Sequence, residues 1–411
     1  MNQSEPTLRA NLQALPRGVW ILFFGTFLNK FGAFVLPFLA IYMKRLGYSG
    51  AQAGLALGAY GFGHLLASFF GGYLADRIGR RLTIVLSMLS SAAVMLCMSQ
   101  ARAVELIILF SGLAGLAGEL YRPAGAALLA DLTPAGQRVT AYAVYRAAFN
   151  AGWTFGPAVA GFLAQKSYFW LFLGDASTSV LYGLVAWFAL PDGGKSDEGG
   201  NGLRETLRVL RDDRKLRQVL CSSLVVGLVF VQVFSTFSLE ITRSGFLPST
   251  YGLLISLNGA LVVLFELPLT TITRRRPPRR MMALGYVVCG LAFATNLLPR
   301  TPVLLVLTIV LLTLGEILCM PISAAYVADL APSHQRGLYM GAFGLVWALT
   351  FVLGPSLGTL LYASSSTLVW LICGVMGFIA ATIILAEPAP SIPRSRQPDR
   401  ALHAGEPISI E

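Results

Sequence analysis

Twelve apolar runs, each long enough to cross a bilayer as a helix, alternate with short polar turns along the chain. They cover approximately residues 18–43, 52–75, 82–101, 104–131, 139–165, 168–190, 218–241, 250–273, 281–298, 302–329, 338–363 and 367–386. At about 1.5 Å of rise per residue, such runs traverse a hydrocarbon core of about 30 Å. The pattern predicts an all-α membrane protein with twelve transmembrane helices. The first run is too long for a signal-peptide core and lacks a small-residue cleavage site, so it reads as the first span.

Composition sharpens this reading. Only 12% of the residues are charged, against about 25% in a soluble domain. The net charge of +11 would elsewhere raise a nucleic-acid partner, but the basic residues here sit in short turns beside apolar runs. With both termini on one side, that side carries 22 Lys and Arg and the other six: Lys44, Arg45, Arg102, Lys166, Arg243 and Arg300. The positive-inside rule then places both termini in the cytoplasm. The remaining three, Lys30, Arg122 and Arg146, fall within spans. Cys97, Cys221, Cys289, Cys319 and Cys373 all lie in apolar runs without CxxC spacing, so neither a disulfide framework nor a metal site follows. No GxxxxGK[ST] loop and no nucleophile constellation occurs, so an enzyme or direct ATP hydrolysis finds no support and no cofactor is expected.

The expected organisation is a cytoplasmic N-tail over 1–17, a six-helix bundle over 18–190, a linker over 191–217, a second bundle over 218–386 and a disordered tail over 387–411. The linker opens with the glycine-rich Pro191–Gly202 stretch. After it, Leu203, Leu207 and Leu210 recur among arginines, the pattern of a basic amphipathic helix on the inner leaflet. The halves repeat. Tyr121–Arg138 aligns with Cys319–Arg336 at an offset of 198, with Pro123/Pro321, Asp131/Asp329, Pro134/Pro332, Gln137/Gln335 and Arg138/Arg336 as identical pairs.

One turn carries a specific signature. Gly72, Leu74, Asp76, Arg77, Gly79, Arg80 and Arg81 match, in order and spacing, the loop between spans two and three of major facilitator superfamily transporters. With the six-plus-six repeat, the chain resembles that superfamily over nearly its whole length, most closely its drug/proton antiporter branch. The resemblance implies the major facilitator fold, with two six-helix pseudo-repeats. It also implies a cytoplasmic latch in which Asp76, Arg80 and Asp131 form a charge network and Gly337 and Gly341 present backbone N–H groups to Asp76. Arg77, Arg81, Arg138, Asp329 and Arg336 belong to the same surface. The bland alternative is a set of interfacial anchors and caps. The repeat of this turn in the second half, Thr273–Arg280, has no acid, so the two latches should differ in strength.

Span five contains Gly152, Gly156, Pro157 and Gly161, similar to the superfamily's exporter-associated motif, although Ala160 stands where a paired glycine is usual. Tight helix packing explains these residues equally well. Ionisable residues deep in a bilayer are costly and usually face a cavity or a partner. Lys30 in span one and Glu119 and Arg122 in span four are expected to form one polar cluster, since the resemblance implies that spans one, four, seven and ten line the cavity. A static network holding the first half together is the alternative. Arg146 is a further cavity candidate and could pair within the first half; Glu240 could be only interfacial. Glu316 in span ten has no cation in spans seven, ten or eleven, and a carboxyl able to take up and release a proton as water reaches it is what a proton carrier needs. Glu119, Glu266 and Asp175 are further proton-coupling candidates. Each could instead bond a neighbouring hydroxyl or amide.

The expected function is export of drug-like or amphipathic small molecules by alternating access in exchange for protons, by a monomer in a bacterial inner membrane. The alternatives are a proton-coupled or facilitative carrier of a sugar, organic acid or other metabolite, and a non-transporting sensor or scaffold. Small-molecule substrate, protons and the lipid bilayer are the expected partners.

Overall fold

The computed structural model describes residues 12–134, 137–193, 213–273, 276–332 and 335–386. The start of the expected N-tail, the linker over 194–212 and the tail from residue 387 lie outside them, as do the side chains of Val139 and Arg336. Every regular element among the described residues is helical.

Span one comprises Arg17–Phe31 and Val35–Arg45, span two Gly50–Ile78 and span three Arg80–Gln100. Span four comprises Val104–Glu119 and Tyr121–Leu132, span five is Arg138–Lys166 and span six Phe169–Ala189. Span seven comprises Arg214–Phe230, a short 3-10 turn over Val231–Val233 and Thr236–Arg243. Spans eight to twelve are Pro248–Thr273, Pro278–Ala294, Pro302–Leu330, Arg336–Ser364 and Ser366–Leu385. Eleven of these are long and apolar enough to cross a membrane by composition alone. Span five, equally long, falls short because Asn150, Thr154, Pro157 and its glycines dilute the apolar stretch between Arg146 and Lys166, yet it packs between spans one and eight inside the same bundle. The outward-facing apolar side chains complete the picture: Phe188, Leu267 and Val303 are 76–81% exposed, a surface that only lipid can cover.

Span seven begins at Arg214, ahead of the expected 218, so Arg214, Lys215 and Arg217 open this helix, whose N-cap is Asp213; the expected amphipathic stretch over Leu203, Leu207 and Leu210 lies outside the described residues. The Asp213 carboxylate accepts from the N–H groups of Lys215 and Leu216 at 2.8 and 3.0 Å, satisfying donors that would otherwise be orphaned.

Spans one and seven are both broken near mid-depth, at positions that correspond across the repeat. Broken backbone is tolerated in a bilayer only where protein groups replace the lost helical bonds. At the break after Phe31, the buried Asp175 of span six faces the backbone N–H groups of Phe34 and Val35. At the second break Gln232 serves. Its Nε2 donates to Leu228 O and Gly354 O at 2.9 and 3.0 Å, and its Oε1 accepts from Ser235 and Thr236 hydroxyls at 3.0 Å.

The halves meet along two seams, span two against span eleven and span five against span eight. We call the side carrying the Gly79 turn the basic side and the opposite one the far side. At the far side the first seam is closed, with Ser356 Oγ donating to Gly54 O at 3.1 Å. At the basic side it is parted. Among the described residues, no neighbouring element comes within 4 Å of where a side chain would begin at Gly72 of span two, or at Gly337, Gly341 and Gly344 of span eleven.

Gly79 joins spans two and three with φ +98° and ψ 154°, a conformation almost confined to glycine. Gly79→Ala is therefore expected to destabilise the fold by about 1–3 kcal/mol. A thermal transition of the purified variant unchanged from wild type would show that the turn relaxes at no cost.

Candidate functional site

A cavity of about 230 Å³ lies at the centre of the bundle where the two halves face each other. Lys30, Glu119, Arg122 and Glu316 all line it. It is not walled by spans one, four, seven and ten alone. Tyr60 and His64 of span two, Asn150 and Trp153 of span five, Asn258 of span eight and Phe351 of span eleven also enter. From it a second space of about 710 Å³ runs between His64 and Phe69 on one wall and Gly341 and Gly344 on the other, towards the parted seam. The site is thus reached from the basic side.

On the first-half wall the charges are already paired. Lys30 Nζ donates to Glu119 Oε1 at 2.9 Å, and both side chains are more than nine-tenths buried. Tyr60 Oη donates to the same oxygen at 3.3 Å, while Arg122 Nη1 lies 3.5 Å from Glu119 Oε2, one helical turn away. Lys30 Nζ also sits 5.5 and 5.2 Å above the Tyr121 and Phe149 rings, and the Arg122 guanidinium 5.3 Å above Phe149. Arg122 is the most open member of the cluster, with its side chain 45% exposed and Nη1 3.5 Å from His64 Nε2.

The second-half wall is different in kind. Glu316 Oε2 accepts from Asn258 Nδ2 at 2.9 Å, and the same amide nitrogen donates to Thr313 Oγ1 at 2.9 Å. A further cation shares a neighbouring pocket with Glu316 and comes from span five of the other half. Arg146 lines that pocket together with Asn150 and Glu266, and its Nη2 forms an ion pair with Glu266 Oε1. Arg146 therefore pairs across the halves rather than within the first, and Glu266 is engaged rather than a lone acid. Asp175 lies behind span one and does not line the cavity. Glu240 is buried rather than interfacial, 2.8 Å from Tyr362 Oη and 2.9 Å from Arg300 Nε.

The remaining wall is aromatic. Trp153, Phe234 and Phe351 form a chain with ring centroids 5.7 and 6.2 Å apart, and Phe230 abuts Trp347. Sequence reasoning did not select these rings, nor Tyr60 and Asn258. The two polar residues, deep in otherwise apolar runs, carried a signal that could have found them; aromatics recur on every face of the spans.

The signature turn is held by the first half and the residues just after it. Arg80 Nη1 pairs with Asp131, and Arg81 Nη2 lies 2.6 Å from Asp192. Arg77 Nη1 donates to Tyr73 Oη at 2.9 Å, and Arg138 Nε to Thr133 O at 3.4 Å. The second half is anchored otherwise: Arg279 donates to Ile384 O and Ala386 O at 2.8 and 2.6 Å, at the C-terminal end of span twelve. Asp329 is exposed and makes no ion pair among the described residues.

The glycines of span five sit where two backbones approach it. A Cβ on Gly156 would lie 2.4 Å from Phe31 O, beside the break in span one, and Pro157 O faces Gly252 of span eight. Ala158 N donates across the seam to Ser256 Oγ at 2.9 Å. Gly156→Val is expected to force spans one and five apart and to lower transport more than tenfold, while Val159→Leu on the exposed face should leave it near wild type. Equal rates in proteoliposomes for both variants and wild type would refute this.

The family model for the Major Facilitator Superfamily matches residues 22–247 and 237–408. The chain belongs to the major facilitator superfamily. It is 28% identical over 348 residues to the uncharacterized MFS-type transporter YqjV of Bacillus subtilis (strain 168), covering 82% of this chain and 85% of that protein. It is 26% identical over 363 residues to a Na(+), Li(+), K(+)/H(+) antiporter of Planococcus maritimus, covering 80% and 85%. Over 183 residues it is 27% identical to the quinolone resistance protein NorA of Staphylococcus aureus, covering 44% and 47%. The crystal structure of a peptide transporter POT superposes with a TM-score of 0.77 at 19% identity, covering 90% of this chain and 94% of that one, a likeness of fold. The chain is therefore an integral, multi-pass membrane transporter with a small-molecule substrate.

Proposed function

We propose that this chain exports lipophilic, cationic small molecules by alternating access in exchange for protons, with Glu316 as the group that carries the proton. The observation that supports this most is the contrast between the two carboxylates of one cavity. Glu119 is committed to Lys30, Tyr60 and Arg122, whereas Glu316 faces the cavity and, among the described residues, forms no ion pair and accepts from the Asn258 amide. A carboxylate free of a fixed cation can exchange a proton for a cationic substrate, and Trp153, Phe234 and Phe351 offer ring faces to the same substrate. In this reading both termini are cytoplasmic, the basic side is the cytoplasmic side, and the present conformation is the one that loads substrate. The kinship with an antiporter and with a quinolone resistance protein points the same way. Arg80, Asp131, Asp76 and their neighbours would then stiffen the first half while the parted seam closes, and the Arg146–Glu266 pair would bridge the halves as they rock.

A second reading rests on Arg122, the half-exposed guanidinium of the cavity, which suits an anionic or zwitterionic metabolite. Everted vesicles with an acidic lumen separate the two. A lipophilic cation added outside should discharge part of the pH gradient if the first reading holds. Discharge by organic acids or peptides alone would establish the second, and silence to both would remove proton coupling.

A further inference from the structure

The far side carries a second site with a different chemistry. Three of the six cations counted on that side, Lys44, Arg45 and Arg243, line one cleft of about 740 Å³ between the halves. Lys44 and Arg45 end span one and Arg243 ends span seven, so the cleft is walled by both halves. Arg45 and Arg243 are separated by 198 residues, the offset of the internal repeat, and so occupy equivalent ends of equivalent helices. Each guanidinium is set against an aromatic ring: Arg45 5.5 Å above Tyr168, Arg243 5.8 Å above Tyr362. Among the described residues, no carboxylate lines the cleft. Glu240, one helical turn before Arg243, is held by Tyr362 Oη and Arg300. Ser49 adds a hydroxyl at the rim. Three like charges gathered at one cleft repel one another, offset in part by Glu240, whose charge acts on Arg243, and they run against the charge bias that sets the topology of the rest of the chain.

We propose that this cleft binds a phosphate-type anion, which bridges Arg45 of the first half and Arg243 of the second and holds the far side shut. Two guanidinium forks set against aromatic rings, with a lysine lining the same cleft, match a tetrahedral phosphate-type oxyanion, each fork supplying paired N–H donors. The anion can be free phosphate or the headgroup of an acidic phospholipid. Because the bridge exists only while the two helix ends are close, its occupancy favours the conformation open to the basic side.

The test uses the full-length protein in nanodiscs of neutral phosphatidylcholine, titrated with inorganic phosphate against chloride at equal ionic strength. Binding should raise the unfolding temperature saturably, by roughly 2 °C or more. The rise should vanish in Arg45→Gln/Arg243→Gln and persist in Arg102→Gln, a far-side cation outside the cleft. If the double variant fails to fold, Lys44→Gln should still weaken the half-saturating concentration several-fold. Stabilisation by phosphatidylglycerol nanodiscs alone, lost in the same variants, would assign the anion to lipid. Equal responses of wild type and cleft variants to both sources, including equal general salting effects, would overturn the site.

Discussion

Glu316→Gln is expected to abolish proton-coupled transport, by roughly 100-fold in proteoliposomes, as for loss of a positioned proton-transfer group, while leaving substrate counterflow measurable. The two halves of that result have separate causes. Glutamine keeps the size of the side chain and an oxygen that accepts from Asn258, 2.9 Å away in the wild type, so the wall of the cavity should persist. What disappears is the group that can be charged in one step and neutral in the next. The pH dependence follows from the same chemistry with a definite sign. If proton and cation compete for one carboxylate, lowering the pH on the basic side weakens cation binding and raises its apparent KM, approaching tenfold per pH unit below the titration of the group. In Glu316→Gln that dependence should flatten. A variant that still couples cation movement to protons, with the wild-type slope of KM against pH, would show that another group carries the proton and would sink the assignment.

Much of the architecture is legible before any coordinates, because a bilayer allows few solutions. A run such as 302–330 has no environment other than lipid or protein in which to place its side chains. The Gly79 turn is legible for a similar reason, since its φ of +98° admits little but glycine. Charge partners are less so. Lys30 and Glu119 can be guessed to meet because two opposite charges at mid-depth each need compensation. Arg146 is misread because its partner, Glu266, lies across a seam whose register no single helix encodes. The breaks in spans one and seven are hidden for another reason. Gly32 and Gln232 are weak local signals, and the break persists only because Asp175 and the Gln232 network take up the freed backbone groups from other helices. Likewise, aromatic residues occur on lipid-facing and cavity-facing surfaces alike, so Trp153 and Phe351 acquire meaning only from where the bundle closes.

The Lys30–Glu119 pair offers the largest expected effect on stability, and it separates a structural charge from a working one. Both side chains are at most 8% exposed and meet at 2.9 Å. Removing one partner strands the other in a low-dielectric interior, a loss of about 3–5 kcal/mol. Lys30→Met and Glu119→Leu should therefore each lower the unfolding temperature and the yield of monodisperse protein sharply. The two single variants differ in one respect: without Glu119, two cations, Lys30 and Arg122, face each other uncompensated, so that variant should be the worse. The double variant Lys30→Met/Glu119→Leu removes one charge of each sign and should recover most of the stability, because an apolar pair of similar volume often replaces a buried ion pair at little cost. A double-mutant cycle read by thermal unfolding isolates the coupling between them. If the stable double variant also keeps proton-coupled transport, the pair is scaffolding for the first half and the proton stays with Glu316. Additive losses in the cycle would instead show that the two side chains act independently, and the paired-charge reading of this wall would fail. Loss of coupling in a double variant that folds and binds substrate would bring Glu119 into the proton path, which is the outcome that most directly contests the division of labour between the two walls.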